Sequence, residues 1–209
     1  MKLMEMTWRE LEGKTKAVIP VGSIEQHGPH LPLSTDAFIA RAVSLEIARK
    51  IGGVLAPPMV TGVSQEHMDF PGTISLTPEV FLGKIRDVCN SLLKHGFKEI
   101  ILINGHGGNR KALESLKMKN VRYVDIIGKI KNYDHAGEIE TSLMLHIHPE
   151  LVRKKLIKKH EFTFPGKKQW KTIDYSKSGV LGDPTKASPE KGKAYFKRIV
   201  SAIMTELEK

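Results

Sequence analysis

Carboxylates and imidazoles crowd one stretch near the N-terminus: Glu25, His27, His30 and Asp36. Side chains two apart in extended chain point the same way, so Glu25 and His27 can approach one point from one short segment. Asp36 follows further along, and each of its oxygens can take a separate cation. His106 lies in Asn104-Gly105-His106-Gly107-Gly108-Asn109, where glycines let the backbone come close to a ligand. A mixed set of imidazole and carboxylate suits Zn²⁺, Mn²⁺ or Fe²⁺, whereas Mg²⁺ and Ca²⁺ prefer all-oxygen shells. The one cysteine, Cys89, falls in a helical pattern and reads as core, so no thiolate zinc of the finger type is built. A third group, Asp134-His135-Ala136-Gly137-Glu138-Ile139-Glu140, adds another imidazole and two more carboxylates. Each residue also has a plainer reading. Glu25 can be a surface acid, Asp36 a helix cap, and His30 a group behind His27. Glu138 can be solvated while Glu140 joins a local polar network. His146 and His148 read as surface or helix-end residues.

The elements that must position these groups alternate between strand and helix. Residues 16–22 read as a buried strand, and Thr35 to Ile51 show helical spacing. Val54 to Pro58 read as a second short strand. Residues 59–76 read as a long functional loop, with Asp69-Phe70-Pro71-Gly72 in it. Thr77 can cap a helix with Pro78 at its first position and Gly96 as its stop. Residues 98–103 are a strand, about 109–119 a helix, and Val121 to Ile127 a strand. Glu138 to Ile147 read as helix, 158–188 as mostly irregular, and Ser188-Pro189-Glu190 opens a terminal helix. This is the rhythm of a parallel sheet covered on both faces, in one α/β domain over 1–209. In such a sheet ligands gather at the carboxyl ends of strands. The Glu25, His106 and His135 segments each begin where a strand ends.

Composition narrows the function classes. Apolar residues make up 40%, which supports a core and excludes disorder. No apolar run spans a membrane, and the N-terminus is too charged for a secretory signal, so a cytoplasmic protein is expected. Lys and Arg exceed Asp and Glu by 33 to 23, a formal charge of +10 that suits an anionic partner. The pattern lacks the interleaved aromatics and motif spacing of nucleic-acid binders. A basic nucleic-acid-binding domain with a vestigial metal site is therefore the weaker alternative.

The chain closely resembles the creatininase (creatinine amidohydrolase) family from about Trp8 to about Gly192. The resemblance rests on VGSIEQHGPHLPLSTD (21–36), FPGTISL (70–76), INGHGGN (103–109), DHAGEIETSLML (134–145) and GVLGDPTKAS (179–188). It implies a three-layer α/β/α sandwich with a mostly parallel central sheet, assembled as a hexamer. It implies two divalent metal ions (Fe, Zn or Mn), with Glu25 and His106 on one, His27 on the other and Asp36 bridging. His135 matches the proton-transfer histidine. Creatininase has a glutamate ligand where this chain has Gly108, so Glu140 or waters are expected to complete the His27-side shell. Ser64, Gly107, Gly108, Asn109 and Lys131 are the positions expected to meet substrate. Lys131 stands near where creatininase has a tryptophan. The glycine form of the third motif looks more like the archaeal formamidopyrimidine nucleotide deformylases. These release formate from 2-amino-5-formylamino-6-ribosylaminopyrimidin-4(3H)-one 5'-monophosphate in riboflavin and deazaflavin (F420) biosynthesis. On that resemblance a phosphorylated small molecule is the expected substrate, with Lys131, Arg110 and residues 167–171 meeting the phosphate. A creatinine or other cyclic-amide hydrolase, or a peptide-trimming member, is the alternative within the family.

Overall fold

A computed structural model describes residues 1–162 and 171–209. Four strands form the described sheet: β1 (Lys16–Val21), β2 (Val54–Leu55), β3 (Glu99–Asn104) and β4 (Val121–Asp125). Their spatial order is β2-β1-β3-β4, and every pairing is parallel. β1 and β3 are the long central strands. Each is buried on both faces, as continuous apolar runs in a covered parallel sheet should be.

Alternate side chains of the sheet feed two cores. Val18, Ile101, Ile103 and Val124 face the side packed by α1 (Thr35–Lys50), α4 (Glu138–Ile147) and α6 (Pro189–Leu207). Ala17, Ile19, Val21, Ile100 and Leu102 face the side packed by α2 (Pro78–Lys94) and α3 (Arg110–Glu114). The expected helix–sheet–helix layering is observed. Cys89 sits in the second core, buried and unpaired.

Helix boundaries follow local chemistry. Thr77 Oγ1 accepts the Val80 amide at 3.4 Å, with Pro78 opening α2. Ser188 Oγ accepts the Lys191 amide at 3.2 Å, with Pro189 opening α6. The helix expected over 109–119 is shorter than its pattern. Ser115 and Leu116 donate to carbonyls three residues back, at 3.1 Å each, which tightens and ends α3. The chain then turns through Asn120 at φ +67° to enter β4. The strand expected to reach Ile127 stops at Asp125, whose carboxylate takes the Ile127 amide and starts a short 3-10 turn. Among the described residues of the irregular stretch before α6 there are a four-residue helix, α5 (Thr172–Tyr175), and a 3-10 turn over Pro184–Lys186. Among the described residues no helix is long and apolar enough to cross a membrane.

The strand order changes direction between β1 and β3. The loop after β1 goes out toward β2, and the loop after β3 goes toward β4. Open α/β sheets leave a crevice at such a point.

Candidate metal centre

The loop leaving β1 carries Glu25 and His27 and is tied down at several points. Gly22 donates to Met59 O at 2.9 Å, Glu25 to Leu33 O at 2.9 Å, and Ile74 to Ile24 O at 2.9 Å. Gly22 lets this loop lie on the first turn of α1, because a Cβ there would stand 2.6 Å from the Ala37 backbone. Asp36 is thereby brought beside His27 and His106. The reading of Asp36 as a helix cap does not hold: Ser34 takes the cap position, and the Asp36 oxygens face histidines.

Five side chains meet there, none more than 3% exposed: Glu25, His27, Asp36, His106 and Glu140. Asp36 Oδ1 lies 3.1 Å from His27 Nε2, and Oδ2 lies 2.9 Å from His106 Nδ1. Glu25 Oε2 is 3.1 Å from the same His106 nitrogen. Glu140 Oε2 is 3.5 Å from His27 Nε2. Glu140 also accepts the Ala136 amide at 2.6 Å, which fixes its carboxylate at the start of α4. Glu138 points away, to Lys191 and Tyr195.

The opposite nitrogens of the two histidines decide what the cluster needs. His106 Nε2 lies 2.8 Å from Val63 O, and His27 Nδ1 lies 3.2 Å from Glu25 O. A backbone carbonyl only accepts, so each of these nitrogens carries the hydrogen. The inward nitrogen of each neutral ring is then a lone pair facing two carboxylates. Glu25 Oε2 and Asp36 Oδ2 are buried with no hydrogen-bond partner. Only a cation between rings and carboxylates resolves this. Without a metal it is a proton. Burial alone would depress His27, but Asp36, Glu140 and Glu25 together push it up to about 10. His106 is likewise raised, its burial outweighed by Glu25 and Asp36. Asp36 is held low by the two histidines in spite of its burial. Glu140 is raised by burial, with Asp36 adding to it and His27 opposing.

Two ligand groups share Asp36: Glu25–Asp36–His106 and His27–Asp36–Glu140, the donor atoms of each within 4.8 Å of one another. Glu25, His27 and His135 form a third such group. The donor set is nitrogen and oxygen, with no sulfur, and it fits a borderline divalent cation.

His135 borders the cluster, its ring between those of His27 and His67 with centroids 4.4 and 4.5 Å away. Gln26 Nε2 is within hydrogen-bond distance of His67 Nδ1 (2.9 Å), Gly179 O (3.1 Å) and His135 Nε2 (2.8 Å). Its two hydrogens go to the first two, because His135 Nε2 itself donates to the Gln26 backbone carbonyl at 3.0 Å. His135 Nδ1 is left as an acceptor, 3.9 Å from Glu25 Oε1. His67, accepting at Nδ1, directs its Nε2 hydrogen to Glu25 Oε1 at 3.3 Å. Burial drives His67 down to about 3 and His135 well below its ordinary range.

A cavity of about 520 Å³ opens over this centre. Its wall includes Gly107, Gly108, Glu66, Ile127, Tyr133, Asp134 and Leu181. Among the expected substrate positions, Gly107 and Gly108 line it. Ser64 is buried beneath it, 3.2 Å from His106 Nε2 and 2.5 Å from Ser23 Oγ. Asn109 holds the loops together, with contacts to Val63 N, Gly22 O and Asn104 Oδ1. Lys131 is exposed and is not among the residues of the wall. Arg110 is engaged by Asp125 at 2.5 Å. Of residues 167–171, only Lys171 lies among the described residues, paired with Asp69 at 3.2 Å. His30 sits behind the cluster, 2.9 Å from Thr141 Oγ1.

Gln26, Glu66 and His67 are missed by sequence reasoning. The last two sit in the long loop, whose spacing follows no helix or strand period. A Glu-His pair beside a Pro-Gly turn was the available signal.

The comparisons with known proteins agree with this geometry. The Creatininase family, described as creatinine amidohydrolase, matches residues 4–207. A mycofactocin precursor peptide peptidase of Mycolicibacterium smegmatis is 35% identical over 97% of this chain and 89% of its own. The 2-amino-5-formylamino-6-ribosylaminopyrimidin-4(3H)-one 5'-monophosphate deformylase of Methanothermobacter thermautotrophicus is 32% identical, over 62% of this chain and 58% of its own. The structure of a manganese creatininase superposes with a TM-score of 0.89 at 27% identity, covering 99% of this chain and 96% of that one. On fold, motif and ligand geometry together, this chain belongs to the creatininase family of amidohydrolases.

Proposed function

We propose that this protein hydrolyses an amide C–N bond with two divalent metal ions, one held by Glu25, Asp36 and His106 and the other by His27, Asp36 and Glu140. One observation carries the reading: two imidazole lone pairs, each locked inward by a backbone carbonyl, face carboxylates that share Asp36. Such ions supply Lewis acidity and lower the pKa of water.

The chain's own groups do the rest. His67 holds Glu25 from behind, and the Glu25 and Val63 carbonyls hold His27 and His106. His135 Nδ1, an acceptor, takes the proton of the attacking water and returns it to the leaving nitrogen. Its Nε2, anchored on Gln26, keeps the ring in the tautomer that this requires. Glu140 completes the His27-side group that Gly108 leaves short of a glutamate.

Two substrate readings stand. Deformylation of the formylaminopyrimidine nucleotide is supported by the net charge of +10, the Gly107-Gly108 form of the third motif and the partial likeness to the archaeal deformylase. Cleavage of a peptide amide is supported by the fuller likeness to the peptidase. It is also favoured by a cavity wall that holds no Lys or Arg among the described residues. The test is anaerobic reconstitution with Fe²⁺, Mn²⁺ or Zn²⁺, followed by assay of the formylaminopyrimidine nucleotide, short peptides and creatinine side by side. Formate from the first, or a new amine from the second, selects the substrate. Metal-loaded protein that cleaves none of the three overturns the reading.

A further inference from the structure

The cavity wall holds two carboxylates outside the ligand groups, Glu66 and Asp134. Glu66 stands in the short 3-10 turn Gln65–His67, half-buried, and lines the same cavity as Glu25, Asp36 and His106. It belongs to none of the three ligand groups, and it makes no ion pair among the described residues. The other spare acid of the wall, Asp134, has work of its own: it accepts the Glu138 and Ile139 amides at 2.7 and 3.2 Å and so starts α4.

Gly108 lies between the Val63 carbonyl, the His106 ring and the Glu66 carboxylate. A Cβ at 108 would stand 2.1 Å from Val63 O, 2.5 Å from His106 Nε2 and 3.0 Å from Glu66 Oε1. The glycine is required by the first two, and it leaves the Glu66 carboxylate, from the 59–76 loop, beside the third motif at the cavity wall. Burial raises the pKa of the Glu66 carboxyl, opposed by its own backbone amide and by His106, and a donor that enters the cavity would satisfy its remaining acceptor capacity.

We infer that Glu66 is the specificity-determining residue of the cavity, accepting from an amino, amidino or guanidino group that the substrate carries apart from the amide that is cleaved. This rests on the amide-hydrolase reading above. It adds that the substrate presents N–H donors, not an anion, to the Gly108 side of the cavity. A carboxylate accepting from such a group discriminates against the same molecule without it by about tenfold or more.

The experiment uses matched pairs on metal-loaded protein. One pair is the formylaminopyrimidine nucleotide and its 2-deamino analogue. The other is a dipeptide and its N-acetyl form. Wild type should favour the member of the pair it cleaves that keeps the free amino group, about tenfold or more in kcat/KM, chiefly through KM. In Glu66→Gln that ratio should fall toward one while metal content stays at the wild-type level. An unchanged ratio, or loss of metal from the variant, overturns the inference. Turnover is not required for the decision. Calorimetry with the deformylated 2,5-diaminopyrimidine nucleotide, its 2-deamino analogue and both dipeptides reads the same preference at equilibrium. Tighter binding of the member with the free amino group by wild type, lost in Glu66→Gln, supports the role of Glu66 even if hydrolysis of every substrate fails. Equal binding within both pairs by wild type overturns it even if hydrolysis succeeds.

Discussion

Asp36 turns one oxygen to His27 and the other to His106, and that makes it different in kind from its neighbours. Asp36→Asn replaces one of the two oxygens by an amide that cannot ligate. Elemental analysis should find both metals lost. Glu140→Ala removes a ligand from the His27 side alone and should lose one ion while the other stays. If Glu140→Ala still carries both ions at full occupancy, Glu140 is not a ligand. The residues proposed for this chemistry differ in how visible they are in the sequence. Glu25, His27 and His106 could be read because they follow strand ends, Asp36 because it opens the helix after the first two, and His135 because it stands in a motif. Gln26 and His67 could not, because each acts through a contact between segments far apart in the chain, and Glu66 could not, because its loop follows no helix or strand period. Gln26, for example, bridges to Gly179, 153 residues away. Lys131 stood only roughly where the resemblance puts a substrate-side residue; it is exposed and is not among the residues of the cavity wall.

At the scale of elements, the site depends on helices that were nearly all legible. α1, α2 and α4 begin and end, and α6 begins, within a residue or two of their sequence signals, since each of these edges has a capping residue, a proline or a glycine. α3 was not, because the turn into β4 overrides a good apolar pattern. α6 closes one face of the sheet, and its start is built on Ser188. Ser188→Ala should cost about 1 kcal/mol, lowering the melting temperature by roughly 2–4 °C with no change in metal content. Phe81, fully buried in the core under β1 and β3, is a different case. Phe81→Ala should cost about 3–5 kcal/mol in denaturant unfolding. An effect under about 1 kcal/mol would mean that the α2 layer packs loosely.

The molecule as a whole carries two families of buried histidine with opposite consequences for pH. His30 and His67 are depressed to about 4 and about 3, chiefly by burial, and His135 is depressed too. The unfolded chain binds protons at these groups first, so their contribution to stability is lost as pH falls below about 6.5. His27, at about 10, and His106 are raised in the metal-free protein. Their contribution is full below about 6.5 and is lost as pH rises through the raised values. Metal-free protein should therefore be most stable near pH 6.5, with melting temperatures falling on both sides. Metal-loaded protein should lose the alkaline fall, because its ligands bind as the deprotonated forms, and should instead gain stability with pH. A metal-free melting temperature that rises steadily from pH 6.5 to 9 would contradict the assignment of the protons to His27 and His106.

Val63 and Glu66 belong to one loop, and they serve different masters. The Val63 carbonyl holds the tautomer of a ligand, while the Glu66 side chain faces whatever enters the cavity. Variation in this family member is therefore channelled. A new side chain at 66 can retune recognition within a single substitution, yet an insertion or deletion between 63 and 66 shifts the carbonyl that orients His106. Length variants of this loop should be lost to selection together with the metal, while point variants at 66 remain free to drift toward new substrates.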